Sequence, residues 1–85
     1  MFEFLLSDDF LDDLKKLDKK IQVQIKEKLL FFTEQENALF YAKKLKGEKD
    51  IFRFRVGDYR TIFLLKNNQI ILLRIGNRKE IYKKK

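Results

Sequence analysis

Five arginines lie between residues 53 and 78 of this 85-residue chain, and there are no others. Three of them fall in the string Phe52-Arg53-Phe54-Arg55-Val56-Gly57-Asp58-Tyr59-Arg60. Strand side chains alternate between two faces, so Arg53 and Arg55 share one face while Phe52, Phe54 and Val56 take the other. With Gly57-Asp58 as a two-residue turn, glycine first as a type II′ turn wants, Val56 pairs with Tyr59 and Arg55 with Arg60. Cross-strand partners project to the same side, which makes Arg53, Arg55 and Arg60 one guanidinium cluster. Like charges set opposite each other destabilise a sheet, and an anion between them removes that cost. Arginine suits a phosphate, which it grips through a planar pair of hydrogen bonds.

The composition excludes other chemistries. With no Cys and no His, the chain has no disulfide framework, no thiolate nucleophile and neither of the commonest metal ligands. It also lacks the usual general base near neutral pH, so any catalysis runs on Arg, Lys, Tyr, Asp or Glu. The expectation is a protein without metal or small-molecule cofactor. No apolar run approaches the ~20 residues of a membrane span, and the N-terminus lacks the positive-then-apolar order of a signal peptide. The reading is a cytoplasmic protein with no membrane partner.

The net charge of +7 is unevenly spread. Residues 1–40 carry six Lys against nine acids, and residues 41–85 carry nine Lys and five Arg against four acids. A strongly basic half on an acidic scaffold is the electrostatic footprint of a nucleic-acid partner.

The elements that must position the arginines can be read from periodicity. A chain of this size buries roughly 60% of its unfolded surface and is read as one domain, residues 1–85. Residues 2–6 read as a short strand. Ser7 is a good N-cap with Asp8 and Asp9 behind it in the first turn. Phe10, Leu14, Leu17 and Ile21 recur at helical spacing. Asp18 is placed to cap a second helix with the stripe Ile21, Ile25, Leu29 and Phe32, and the two make an antiparallel hairpin. One further turn of helix is expected within residues 38–47, ended by Gly47. Strands then follow at 51–56, 59–66 and 69–75, with the second turn at Asn67-Asn68, where Asn tolerates positive φ.

The resulting order, β-α-α-β-β-β, predicts an α+β domain: a mostly antiparallel four-stranded sheet with a helical hairpin on one face. Phe52, Phe54, Phe63 and Leu72 are expected under the helices. Ile62, Leu64, Ile71 and Leu73 then face away from them, covered either by the chain's own ends or by a partner. In this register Arg74 lies on the face opposite Arg60 and stays out of the cluster, and Tyr59 belongs to the core.

Three stretches together, Lys43-Lys44-Leu45-Lys46-Gly47, the 52–60 string and Ile75-Gly76-Asn77-Arg78-Lys79-Glu80-Ile81-Tyr82, resemble the RelE/ParE superfamily of toxins. These are the toxin halves of prokaryotic type II toxin-antitoxin pairs, and the resemblance spans nearly the whole chain. In the RelE-like branch it implies an mRNA interferase, an endoribonuclease that acts on the ribosome and blocks translation without a metal. The ribose 2′-oxygen attacks the adjacent phosphate and the 5′-oxygen leaves. The catalytic residues so implied are Arg53, Arg55, Arg60, Arg78 and Tyr82. Arg55 and Arg60 hold the scissile phosphate, Arg78 stabilises the leaving group and Tyr82 stacks on or orients the attacked nucleotide. Lys43, Lys44, Lys46, Lys79 and Lys83 are implied as RNA contacts. The implied partners are mRNA, the ribosome and a cognate antitoxin that is acidic and amphipathic.

The chain departs from this pattern in one respect: well-known ribosome-dependent members carry lysines at the positions of Arg53 and Arg55. Arginine does not deprotonate in proteins, so neither residue is a conventional general base. Tyr82, Lys46 and Lys79 are the alternatives, as is catalysis by charge stabilisation and positioning alone. The alternative function is that of a ParE-like inhibitor of DNA gyrase without nuclease activity. A plain nucleic-acid-binding module is the third.

Overall fold

The computed structural model describes residues 1–79 and residue 81. Strand β1 (Glu3–Leu6) leads into helices α1 (Asp8–Lys15) and α2 (Lys19–Thr33). A 3₁₀ turn, Ala38–Tyr41, precedes strands β2 (Ala42–Lys44), β3 (Ile51–Val56), β4 (Tyr59–Lys66) and β5 (Gln69–Asn77). The sheet runs β1-β5-β4-β3-β2, with β1 parallel to β5 and every other neighbour antiparallel. It therefore has five strands where the periodicity predicts four. Among the described residues no helix is long and apolar enough to cross a membrane.

The added strand is β2. The expected helical turn ends at Tyr41, and Ala42–Lys44 pairs with residues 52–54 of β3. Gly47 (φ 83°) and Asp50 (φ 60°) reverse the chain between β2 and β3, and the Leu45 amide donates to the Ile51 carbonyl at 2.8 Å. Three residues are too few to show a period of two in the sequence.

Ser7 begins α1 as its type predicts. Its Oγ accepts from the Phe10 amide at 3.1 Å and donates to the Leu73 carbonyl at 3.0 Å, so one hydroxyl caps the helix and ties it to β5. Asp18 holds the N-cap position of α2 but makes no capping hydrogen bond with its side chain.

Both helices rest on one sheet face. Phe10, Leu14, Ile25, Leu29 and Phe32 are buried there with Phe54, Phe63, Ile70 and Leu72, while Leu17, Ile21, Phe52 and Tyr59 are partly buried against them. Phe54 is the centre of an aromatic stack, 4.2 Å from Phe32 and 4.6 Å from Phe63 between ring centroids. On the opposite face, Leu45, Ile62 and Ile81 are all buried and line one cavity. Leu64, Ile71 and Leu73 are partly buried. The chain thus supplies much of the cover for its own second face.

A β-bulge corrects the placement of Arg74. Phe63 pairs with Leu72 but Ile62 pairs with Arg74, so Leu73 is the extra residue. Beyond it every β5 residue is shifted by one, and Arg74 falls in register with Ile62 and Arg53 on the face of Arg60, not opposite it. It still takes no part in the arginine cluster, because Asp13 of α1 binds it. Arg74 Nε and Nη2 donate to the two Asp13 carboxylate oxygens at 2.8 and 2.9 Å. Asp13 Oδ2 also accepts from the Ile75 amide at 3.1 Å. The hydrogen bond to Asp13 raises the Arg74 pKa above its ordinary value, against the opposing effect of burial.

Candidate functional site: a cationic pocket on the open sheet face

The second sheet face can be followed row by row from the register. Arg55, Arg60 and Gly76 stand side by side across β3, β4 and β5. One step along the strands, Lys43, Arg53, Ile62 and Arg74 form the next row. Rows two residues apart are separated by about 7 Å, so side chains as long as arginine converge between them.

They do so at a cavity of about 160 Å³ lined by Tyr41, Lys43, Arg53, Arg55 and Arg60. The hairpin turn organises two of the guanidiniums. Gly57 adopts φ 60° while Asp58 keeps a negative φ, as glycine-first turns require. The Gly57 carbonyl then accepts from Arg55 Nε at 3.2 Å and from Arg60 Nη1 at 3.1 Å. Arg60 Nη1 also donates to the Tyr59 carbonyl at 3.1 Å.

Arg60 is the pocket's least exposed arginine, 9% accessible. Among the described residues, Arg55 and Arg60 are held by backbone carbonyls and neither is ion-paired to a carboxylate. A guanidinium buried without a counter-charge is costly unless an anion completes its surroundings. Arg74 shows the contrasting arrangement, with its charge matched by Asp13.

The sequence-predicted residues are distributed as follows. Arg53, Arg55, Arg60 and Lys43 share the pocket. Arg78 is exposed beyond the end of β5 and does not line it; its amide donates to the Asp58 carbonyl at 2.9 Å, which sets it beside the same turn. Lys44 and Lys46 line a separate exposed depression around the 44–49 loop. Lys79 is exposed, its amide bonded to Asn77 Oδ1 at 2.9 Å. Tyr82 and Lys83 lie outside the described residues.

Tyr41 is the pocket residue that sequence reasoning missed. It sits in an apolar stretch that reads as helix, yet it stands two residues before Lys43. Extending the alternation of β2 backwards places both on one face.

The arrangement defines a helical hairpin packed on a mostly antiparallel sheet whose other face carries a small cationic pocket. The family described as "ParE toxin of type II toxin-antitoxin system, parDE" matches residues 4–82. Toxin RelE3 of Methanocaldococcus jannaschii is 33% identical over 84 residues, covering 92% of each chain. In a crystal structure of a RelB-RelE antitoxin-toxin complex from Methanococcus jannaschii, a chain 29% identical superposes with a TM-score of 0.78 over 94% of this chain and 96% of that one. A chain of the toxin-antitoxin complex RelBE2 from Mycobacterium tuberculosis, 24% identical, shares the fold with a TM-score of 0.77 over 91% of this chain and 98% of its own. The chain belongs to the RelE/ParE superfamily of type II toxin-antitoxin toxins and is RelE-like.

Proposed function

We propose that this toxin is a metal-independent endoribonuclease that cuts mRNA on the ribosome and is silenced by a cognate antitoxin. The observation that carries the reading is Arg60: nearly buried, held by two carbonyls, and walling a pocket to which every charged side chain contributes a positive charge.

A scissile phosphate in this pocket meets Arg55 and Arg60 already aligned by the Gly57 carbonyl. Attack by the adjacent 2′-oxygen puts additional negative charge on the non-bridging phosphate oxygens. Preorganised guanidiniums stabilise that charge more than they stabilise the ground state, which is the requirement for catalysis. The products are a 2′,3′-cyclic phosphate and a 5′-hydroxyl. Arg53 adds charge, Arg78 approaches from the turn to assist the leaving oxygen, and Tyr82 stacks on or orients the nucleotide. Among the described pocket residues, only Lys43 and Tyr41 have side chains able to give up and take back a proton, because arginine stays charged. They join Tyr82, Lys46 and Lys79 as candidates for the general base.

The solved RelB-RelE complex of the M. jannaschii relative supports an antitoxin partner. The basic half of this chain favours an acidic one.

The experiment is in vitro translation of a defined message with the purified protein, followed by mapping of new 5′ ends, with gyrase supercoiling assayed in parallel. Cuts within ribosome-covered codons support the reading. An intact message together with blocked supercoiling assigns the protein to gyrase inhibition instead.

A further inference from the structure

The basic pocket does not end at its cations. Tyr41 lines it and also joins an aromatic cluster on the protein surface. Its ring centroid is 5.2 Å from Phe40 and 5.4 Å from Phe31, edge-on in both cases. The three rings are exposed: Phe40 by 80%, Tyr41 by 40% and Phe31 by 38%. Lys28 Nζ stands 5.0 Å from the Phe31 ring centroid and gives the patch a positive charge of its own. Isolated exposed apolar residues are ordinary, but three touching rings beside a cationic pocket form a surface that a ligand would cover.

We infer that Phe40 and Tyr41 form a stacking platform for the bases of single-stranded RNA next to the phosphate held by Arg55 and Arg60. This rests on the reading of the pocket as a phosphate site. The alternation of cation and aromatic ring is what single-stranded nucleic acid requires, since its backbone follows positive charge while its unstacked bases seek π-faces. The 3₁₀ turn Ala38–Tyr41 runs directly into β2, so the two rings are carried by the same segment that supplies Lys43 to the pocket. Phe40 presents its ring outward, while Tyr41 is steadied from below by Phe32, 5.5 Å away in the core. Stacking of this kind adds affinity without base identity, because every base has a π-face.

The test uses a fluorescein-labelled, 2′-O-methylated single-stranded RNA, which resists cleavage, and an abasic strand of equal length, with binding followed by fluorescence anisotropy. Phe40→Ala and Phe40→Leu are both expected to weaken binding of the full strand by roughly 5- to 100-fold. Leucine keeps the apolar contact but lacks the π-face. Neither change should affect the abasic strand, and Val23→Ala, an exposed apolar control on α2, should bind both strands like wild type. Arg55→Ala reports separately on the phosphate reading and should weaken both strands. If Arg55→Ala weakens binding while Phe40→Ala binds the full strand like wild type, the platform is overturned and the phosphate site stands. Affinity indifferent to Arg55 overturns both. Unchanged RNA affinity in Phe40→Ala with lost affinity for the antitoxin also overturns the platform and makes the patch a protein contact.

Discussion

Arg55 and Arg60 face each other across the β3–β4 hairpin and donate to the same acceptor, the Gly57 carbonyl of the turn that joins their strands. A single backbone oxygen therefore aligns two like charges that would otherwise spread apart. The turn that fixes the hairpin register also fixes the geometry of the pocket.

Gly57→Ala tests this coupling. A Cβ at residue 57 would meet nothing within 4 Å, so the cost comes from holding a side chain at φ 60° rather than from collision. The expected loss is about 1–2 kcal/mol of stability, read as a lower denaturant midpoint. Cleavage by the folded variant should fall as the shared carbonyl shifts.

In the proposed reaction, neutralising Arg60 removes a charge-assisted contact that strengthens as the phosphate gains charge. Arg60→Ala should lose roughly 10²–10³ in single-turnover cleavage rate. Because Arg60 is nearly buried, circular dichroism and thermal melts must accompany the kinetics. A folded Arg60→Ala variant that cleaves at the wild-type rate would remove this residue from the mechanism.

Asp13 has a structural task away from the pocket. It binds Arg74 through both carboxylate oxygens and also accepts the Ile75 amide. Asp13→Ala should cost on the order of 2–3 kcal/mol in urea unfolding, discounted from a fully buried pair because the Arg74 side chain is 37% exposed. At temperatures where the variant is folded, cleavage should match wild type.

Thr61 offers the opposite sign. Its residue is wholly buried on β4 opposite Phe54, and among the described residues its hydroxyl has no hydrogen-bond partner. Thr61→Val keeps the shape and removes the unpaired group, so it should stabilise the protein by up to about 1 kcal/mol. A loss of stability would mean the hydroxyl is bonded after all.

The pocket's arginines were legible because turn chemistry is local. Gly57-Asp58 permits one pairing, and that pairing places Arg53, Arg55 and Arg60 together without knowledge of the rest of the chain. The helical hairpin was legible for a similar reason, since the stripe from Phe10 to Phe32 and the Ser7 cap are local patterns. Arg74 was misplaced because the bulge at Leu73 has no sequence signal of its own. It is tied to tertiary contacts, Ser7 bonded at Leu73 and Asp13 at Ile75. Tyr41 and β2 were missed because a three-residue edge strand takes its structure from β3, not from its own propensity. Arg78 illustrates another limit: the sequence puts it just past β5, but whether its side chain reaches the pocket depends on the conformation of the chain after the strand.

In the proposed reaction the arginine pocket cleaves RNA through the substrate's own 2′-oxygen. It is measured most directly by placing one 2′-deoxynucleotide immediately 5′ of the mapped cut site in a ribosome-bound message. The expected result is cleavage of the all-ribose message with a 2′,3′-cyclic phosphate at the new end, and none at the deoxy position. Equal cleavage of the deoxy message, or an end bearing a 3′-hydroxyl, would contradict it.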